Sequence, residues 1–305
     1  MKSIKLLFLS LITFMSMMAN ASIDKRTEIY AIKDEQELKV DIYTNDSIKI
    51  KNKPCLVFVF GGGFKEGNRD KPYNLDYFNY FANKGYIVAS IDYRLGMKGV
   101  NVSGIKFVRA INHAINLAVS DLFSATNYLL NNAKELNIDP TRIIISGSSA
   151  GAITVLQADY ELSDHKQSAN ILPNDFRYAG VISFAGGIFS TEGLPTYNQQ
   201  PAPTLFFHGS KDKLVPYSKI QLFKLGFFGS DKLAQRFRKK GYPYMFYSME
   251  DNGHDVSTYP LKEFHHEIEQ FIENFVFDKK QWMIDIDMKD KLRQSDTSTS
   301  IENYY

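Results

Sequence analysis

Apolar residues along this chain recur in two rhythms, and the changes between them outline an architecture. Glu28–Ile32 and Leu38–Thr44 alternate polar and apolar positions, the period of strands with one wet face and suited to an antiparallel edge. Cys55–Phe60, Tyr86–Tyr93, Ile143–Ile145, Ala179–Phe184, Thr204–Phe207 and Met245–Met249 are mostly apolar runs, as strands buried on both faces require. Helical spacing lies between them. Tyr73–Asn83 reads as a helix, and a longer one carries Val119, Leu122, Phe123, Leu129, Leu130 and Ala133 at three- and four-residue steps. A last amphipathic helix is predicted over Leu261–Val276, and Asn137–Thr141 reads as a turn. Strands alternating with helices predict an α/β protein: a three-layer α/β/α sandwich on a mostly parallel sheet of about eight strands. Such sheets bind ligands outside the carboxyl ends of their strands.

No repeat or internal low-complexity linker divides the chain, and 305 residues at 44% hydrophobic are enough for one large core. The expected domain covers residues 22–278. Ahead of it, Lys2 and Lys5 precede an apolar run, Leu6–Met18, that ends in Ala19-Asn20-Ala21. That order predicts a cleavable leader over residues 1–21 and an exported product, periplasmic or secreted. The run is short of the roughly 20 residues that a span needs, so no stable membrane insertion is expected after cleavage. Beyond Asp278 the chain turns polar, and residues 279–305 are expected to form a partly disordered tail in which Trp282–Ile286 is a candidate last strand. Without Lys2 and Lys5 the basic and acidic side chains are equal in number. A balanced surface offers no footprint for nucleic acid. The single cysteine, Cys55, excludes an internal disulfide and reads as a small buried hydrophobe.

The chemistry concentrates after the third apolar run. Gly147-Ser148-Ser149-Ala150-Gly151 follows Ile143–Ile145 and leads into a helical stretch. A G-x-S-x-G between a buried strand and a helix holds its serine hydroxyl clear of the backbone, so Ser149 is the candidate nucleophile. A serine hydroxyl needs a base. His254 lies in the loop Asp251–Asp255 after the Met245–Met249 strand and can lean over the sheet end. His265 and His266 sit beside Glu263 and Glu267 on a solvated helix face, and His208 belongs to a strand-end turn and reads as structural. The acid that orients the base should end a neighbouring strand, which selects Asp212; Asp251 and Asp255 compete by adjacency to the histidine. Backbone donors for an oxyanion are expected from Ala150 and from Phe60-Gly61-Gly62-Gly63-Phe64.

Taken together, Phe60–Phe64, Ser90–Leu95, Gly147–Gly151, His208–Asp212 with Val215-Pro216, and Gly253-His254 resemble the α/β-hydrolase superfamily. The likeness is to its esterase/lipase group with an HGGG-type oxyanion loop, over about Lys39–Val276. The resemblance implies Ser149 as nucleophile, Asp212 as acid and His254 as base, with Gly62, Gly63 and Ala150 as the oxyanion hole. It implies no metal and no cofactor. The implied reaction is hydrolysis of carboxylic esters through an acyl-enzyme, on short-acyl or carbohydrate-linked esters, the substrate being a small-molecule or carbohydrate ester. Phe60 stands where many relatives carry a histidine that braces the loop, which leaves the rigidity of this loop open. Serine peptidases of this fold often carry an aromatic residue where this chain has Ala152, so the pattern favours an esterase. A peptidase is the alternative, followed by a non-catalytic binding module, which would lack a member of the serine, histidine and aspartate set. Phe64–Tyr77, Leu95–Ala114 and Tyr217–Gly241 are the candidate pocket or cap segments.

Overall fold

The two alternating segments pair with each other, as one-sided strands at a sheet edge should. In the computed structural model, which describes residues 23–305, β1 (Ile23–Lys33) and β2 (Gln36–Asn45) form an antiparallel pair. The leader expected over residues 1–21 lies outside the described residues. The chain continues through β3 (Lys53–Val59), α1 (Leu75–Asn83), β4 (Ile87–Ile91), α2 (Gly104–Asn131), α3 (Ala133–Leu136), β5 (Ile138–Ser148) and α4 (Ala150–Ser163). Next come β6 (Gly180–Phe184), β7 (Gly187–Ser190), β8 (Thr204–Gly209), β9 (Lys219–Leu222), β10 (Leu225–Gly229) and α5 (Ser230–Lys240). The final elements are β11 (Tyr244–Met249), α6 (Pro260–Glu263), α7 (His265–Phe271), β12 (Met283–Met288) and α8 (Ile301–Tyr304).

Nine strands form one sheet in the order β1-β2-β4-β3-β5-β6-β8-β11-β12. Only β2 runs against its neighbours; every pair from β4 to β12 is parallel. The expected α/β architecture is therefore present, with α4 packed on β3, β5 and β6, α1 on β2 and β4, and α5 on β8 and β11. The apolar runs explain the centre: Leu56, Val57, Phe58, Ile143, Ile144 and Ile145 have no exposed surface. Cys55 joins them, and burial pushes its thiol up to about 12, as suits an inert hydrophobe.

Four departures have physical causes. β7, β9 and β10 form a second, three-stranded antiparallel sheet that the sequence pattern does not signal. They are four or five residues long, and β9 is exposed along its length, so neither alternation nor burial marks it. Asn137 takes a left-handed turn conformation, but the expected turn after it is already the start of β5. The last helix is broken at Phe264, whose ring packs on Phe207 and Tyr247; this core contact overrides helical spacing. Part of the polar tail forms defined structure where partial disorder was expected: the candidate strand Trp282–Ile286 is present as β12, and α8 forms beyond it. β12 docks in parallel on β11, Ile284 and Ile286 pack against the core, and Asp285 accepts from the Tyr244 hydroxyl at 2.8 Å.

One buried acid on α4 makes stability depend on pH. Asp159 accepts the Ala202 N–H at 3.2 Å, and burial pushes its carboxyl up to about 7, against smaller opposing effects of that N–H and Arg177. A carboxyl raised in the folded state holds its proton there. Its stabilisation is complete below the unfolded value of about 3.9 and is lost as pH rises through the folded value. Asp159→Asn keeps an acceptor and removes the titration. Thermal denaturation should show the variant more stable than wild type at about pH 8, by on the order of a few kcal/mol. The difference should shrink on acidification towards about pH 5; a constant difference would contradict the account.

Candidate active site

Ser149 sits between the end of β5 and the start of α4 with φ 51° and ψ −115°. That is a strained conformation for an L-residue, of the kind concentrated at functional sites. Its flanking glycines serve close approach. A Cβ on Gly151 would lie 2.0 Å from the Val59 carbonyl oxygen, and one on Gly147 would lie 2.3 Å from Gly151. Any side chain there would push α4 off β3 and tilt the serine. Parallel register brings the other chemical groups to the same sheet end, because Val59 pairs with Gly147 and Gly209 with Met249.

The turns after β8 and β11 carry Asp212 and His254 to the serine. Ser149 Oγ is 2.8 Å from His254 Nε2, and His254 Nδ1 is 2.7 Å from Asp212 Oδ2. Asp212 is almost completely enclosed. Its Oδ1 accepts the Leu214 and Val215 amides, each at 2.9 Å, and His208 Nε2 lies 3.3 Å from its Oδ2. Burial alone would push this carboxyl up, but hydrogen bonds from His208 and His254 hold it well below the usual carboxylate range. An ionised Asp212 accepts the Nδ1 proton of His254 and leaves Nε2 as an acceptor facing the serine hydroxyl. The competing acids point elsewhere: Asp251 pairs with Lys211 and Lys289, and Asp255 accepts from Ser295. His265 donates to the Leu261 carbonyl and stacks on Tyr80, while His266 is exposed.

His208 is the residue whose part the sequence reading understated. It is fully buried, bonded at Nδ1 to Ser230 Oγ at 2.8 Å and at Nε2 to the Val215 carbonyl at 3.1 Å. It therefore clamps the turn that presents Asp212. The i, i+4 spacing of His208 and Asp212 around one strand-end turn was the available signal.

The loop after β3 bends through Gly62 (φ 126°), Gly63 (φ 60°) and Phe64 (φ 58°). A Cβ at Gly62 would collide with the Glu66 carbonyl at 2.0 Å, so glycine is required there. The Gly62 carbonyl accepts the Lys65 and Glu66 amides, whereas the Gly62 and Gly63 amides are not spent on backbone hydrogen bonds among the described residues. Ala150 opens α4, where amides lack intrahelical partners and the helix end favours negative charge. The loop is braced without a histidine: Phe60 stacks on Tyr93 at 4.4 Å, and the Tyr93 hydroxyl donates to the Phe60 carbonyl at 3.0 Å. Arg94, next in the chain, is anchored to buried Asp121 at 2.8 Å, which holds this brace against α2.

Two cavities, each about 330 Å³, meet at Ser149 and Leu214. One is apolar, walled by Phe107 and Ile111 of α2, by Phe189, and by Ile220, Leu222 and Phe227 of the small sheet. It also touches Gly63 and Ala150. The other lies beside His254 and is lined by Lys71, Tyr73, Asn74, Ser257 and Thr258. All three candidate pocket segments contribute, and the unforeseen small sheet forms much of the apolar wall. Among the described residues no group of side chains is placed to hold a metal ion, and no helix is long and apolar enough to cross a membrane.

The sheet order and the structural likeness below define the fold: the chain has the α/β-hydrolase fold. The proteins it resembles in sequence and fold are esterases and lipases. The family model described as BD-FAE matches residues 40–188. Fumonisin B1 esterase of Sphingopyxis macrogoltabida is 29% identical over 119 residues, which are 39% of this chain and 22% of that protein. Secreted lipase 5 of Gibberella zeae is 30% identical over 173 residues, 54% of this chain and 30% of the lipase. The chain thus spans less than a third of the length of these curated relatives. Among solved structures, propionate-bound esterase 2 of Thermogutta terrifontis superposes with a TM-score of 0.61 at 21% identity, over 83% of this chain and 95% of that one.

Proposed function

We propose that this protein is a serine hydrolase of carboxylic esters that works through an acyl-enzyme on Ser149. The observation that carries the reading is the unbroken run of hydrogen bonds from Ser149 through His254 to Asp212, standing where two cavities meet. His254 Nε2 takes the hydroxyl proton as Ser149 Oγ attacks the ester carbonyl. The oxygen that gains charge turns towards the amides of Ala150, Gly62 and Gly63, donors of the kind whose single loss typically costs ~10²–10³ in turnover. His254 then returns its proton to the departing alcohol, and water repeats the sequence to free the acid.

The same proton transfer orients the substrate. The leaving oxygen must reach His254, so the alcohol occupies the polar cavity beside Ser257 and Thr258. The acyl group then extends over Ala150 and Gly63 into the apolar cavity. This division favours a short apolar acyl group on a hydroxyl-bearing alcohol such as a sugar. The names of the matched esterase and lipase agree with ester hydrolysis, and the leader-like residues 1–21 support an exported enzyme.

Purified protein should hydrolyse 4-nitrophenyl acetate and butyrate, and a fluorophosphonate should label one peptide, the one that contains Ser149, by mass spectrometry. Absence of both hydrolysis and Ser149 labelling would overturn the proposal.

A further inference from the structure

The segment expected to be disordered instead ties together the three loops of the site. Ser295 Oγ accepts the Gly253 N–H at 2.7 Å, and a Cβ on Gly253 would strike the Asp296 carbonyl at 2.0 Å, so the segment lies flat on the loop that carries His254. Ser300 then bridges Lys213, next to Asp212. Two aromatic residues follow at the oxyanion loop. The Tyr305 hydroxyl donates to the Gly63 carbonyl at 2.8 Å, and its ring meets Phe107 edge-on at 5.1 Å. Lys65 Nζ donates to the Tyr304 carbonyl and sits 4.0 Å from the centre of the Tyr304 ring. A Cβ on Gly63 would lie 2.5 Å from the Tyr304 ring, so this glycine makes room for the pair as well as for the turn.

The two rings face different cavities. Tyr305 lines the apolar one and Tyr304 the polar one. We propose that Tyr304 and Tyr305 are specificity-determining residues: residues 300–305 form the partition between the two cavities, Tyr305 limiting the acyl group and Tyr304 the alcohol. This rests on the ester-hydrolase reading above. The contacts favour a partition over a passive surface tail because both rings abut Gly63, whose amide is one of the oxyanion donors. A group bound beside Gly63 in either cavity therefore lies next to one of them.

The test uses the full chain and two series of esters: 4-nitrophenyl acetate, butyrate and octanoate for the acyl side, and acetates of 4-nitrophenol and 4-methylumbelliferone for the alcohol side. Tyr305→Ala should raise the octanoate-to-acetate ratio of kcat/KM about tenfold, the scale that pocket contacts of this kind command. Tyr304→Ala should shift the alcohol series and leave the acyl ratio within about twofold. Tyr305→Phe keeps the ring and should hold the wild-type acyl ratio, whatever its overall rate. Both alanine variants leaving every ratio unchanged, or lowering all esters by one common factor, would overturn the partition while the hydrolase reading stood. A wild-type protein inert to all these esters and unlabelled at Ser149 would overturn both.

Discussion

Ser149→Ala is expected to lower turnover of 4-nitrophenyl esters by about 10⁶-fold and to abolish fluorophosphonate labelling, with the fold retained. The loss is that large because, among the described residues, the hydroxyl is the only group bonded to His254 Nε2 that can accept an acyl group. What remains, an orienting loop and unspent amides, supports only the residual catalysis that binding and oxyanion stabilisation give on their own. The backbone supplies a control. Alanine inherits the strain of φ 51°, so Ser149→Ala should melt near wild type. Ser149→Gly relieves that strain, worth about 1–3 kcal/mol, and concedes about 0.5–1 kcal/mol of glycine entropy. It should therefore be as inactive as the alanine variant and yet melt higher. Hydrolysis by Ser149→Ala within a hundredfold of wild type would assign the reaction to another nucleophile.

That control depends on a conformation the sequence could suggest, and other parts of the site left no such trace. That Ser149, Asp212 and His254 come together was legible because each follows the end of an apolar strand and parallel register aligns strand ends. Position in the pattern was therefore nearly position in space. The central strands were legible for the same reason, since Ile143–Ile145 and Leu56–Phe58 leave no polar face to explain. The small sheet was not. Lys219-Ile-Gln-Leu222 is exposed and short, and its pairing with Leu225–Gly229 is decided by contacts with β7 far along the chain. Tyr304 and Tyr305 follow a stretch rich in serine and threonine whose composition predicts disorder. Their docking depends on Lys65, Gly63 and Phe107, which only the folded surface brings together. The loop after β3 shows the same limit. Phe60 in place of a histidine left its rigidity open, and the answer, stacking on Tyr93 with a hydroxyl bond to the Phe60 carbonyl, required the fold.

Asp212→Asn is expected to cost about 10⁴-fold in turnover with little change in substrate affinity, and the four donors around the carboxylate explain why so conservative a change is so damaging. Oδ1 accepts two backbone amides, from Leu214 and Val215, that cannot turn away. The oxygen of an asparagine must occupy that position, which aims its NH₂ group at the site of Oδ2. There it meets His254 Nδ1 at 2.7 Å and His208 Nε2 at 3.3 Å, both placed to donate. The clash is relieved when His254 moves its proton to Nε2 and accepts at Nδ1, and that tautomer points an N–H at Ser149 and can no longer take the hydroxyl proton. Asp212→Ala removes the clash together with the support, so it should retain more activity than Asp212→Asn despite deleting more atoms. The order of the two variants carries the argument. An alanine variant slower than the asparagine one would mean that Asp212 acts through its charge and not through the tautomer it imposes.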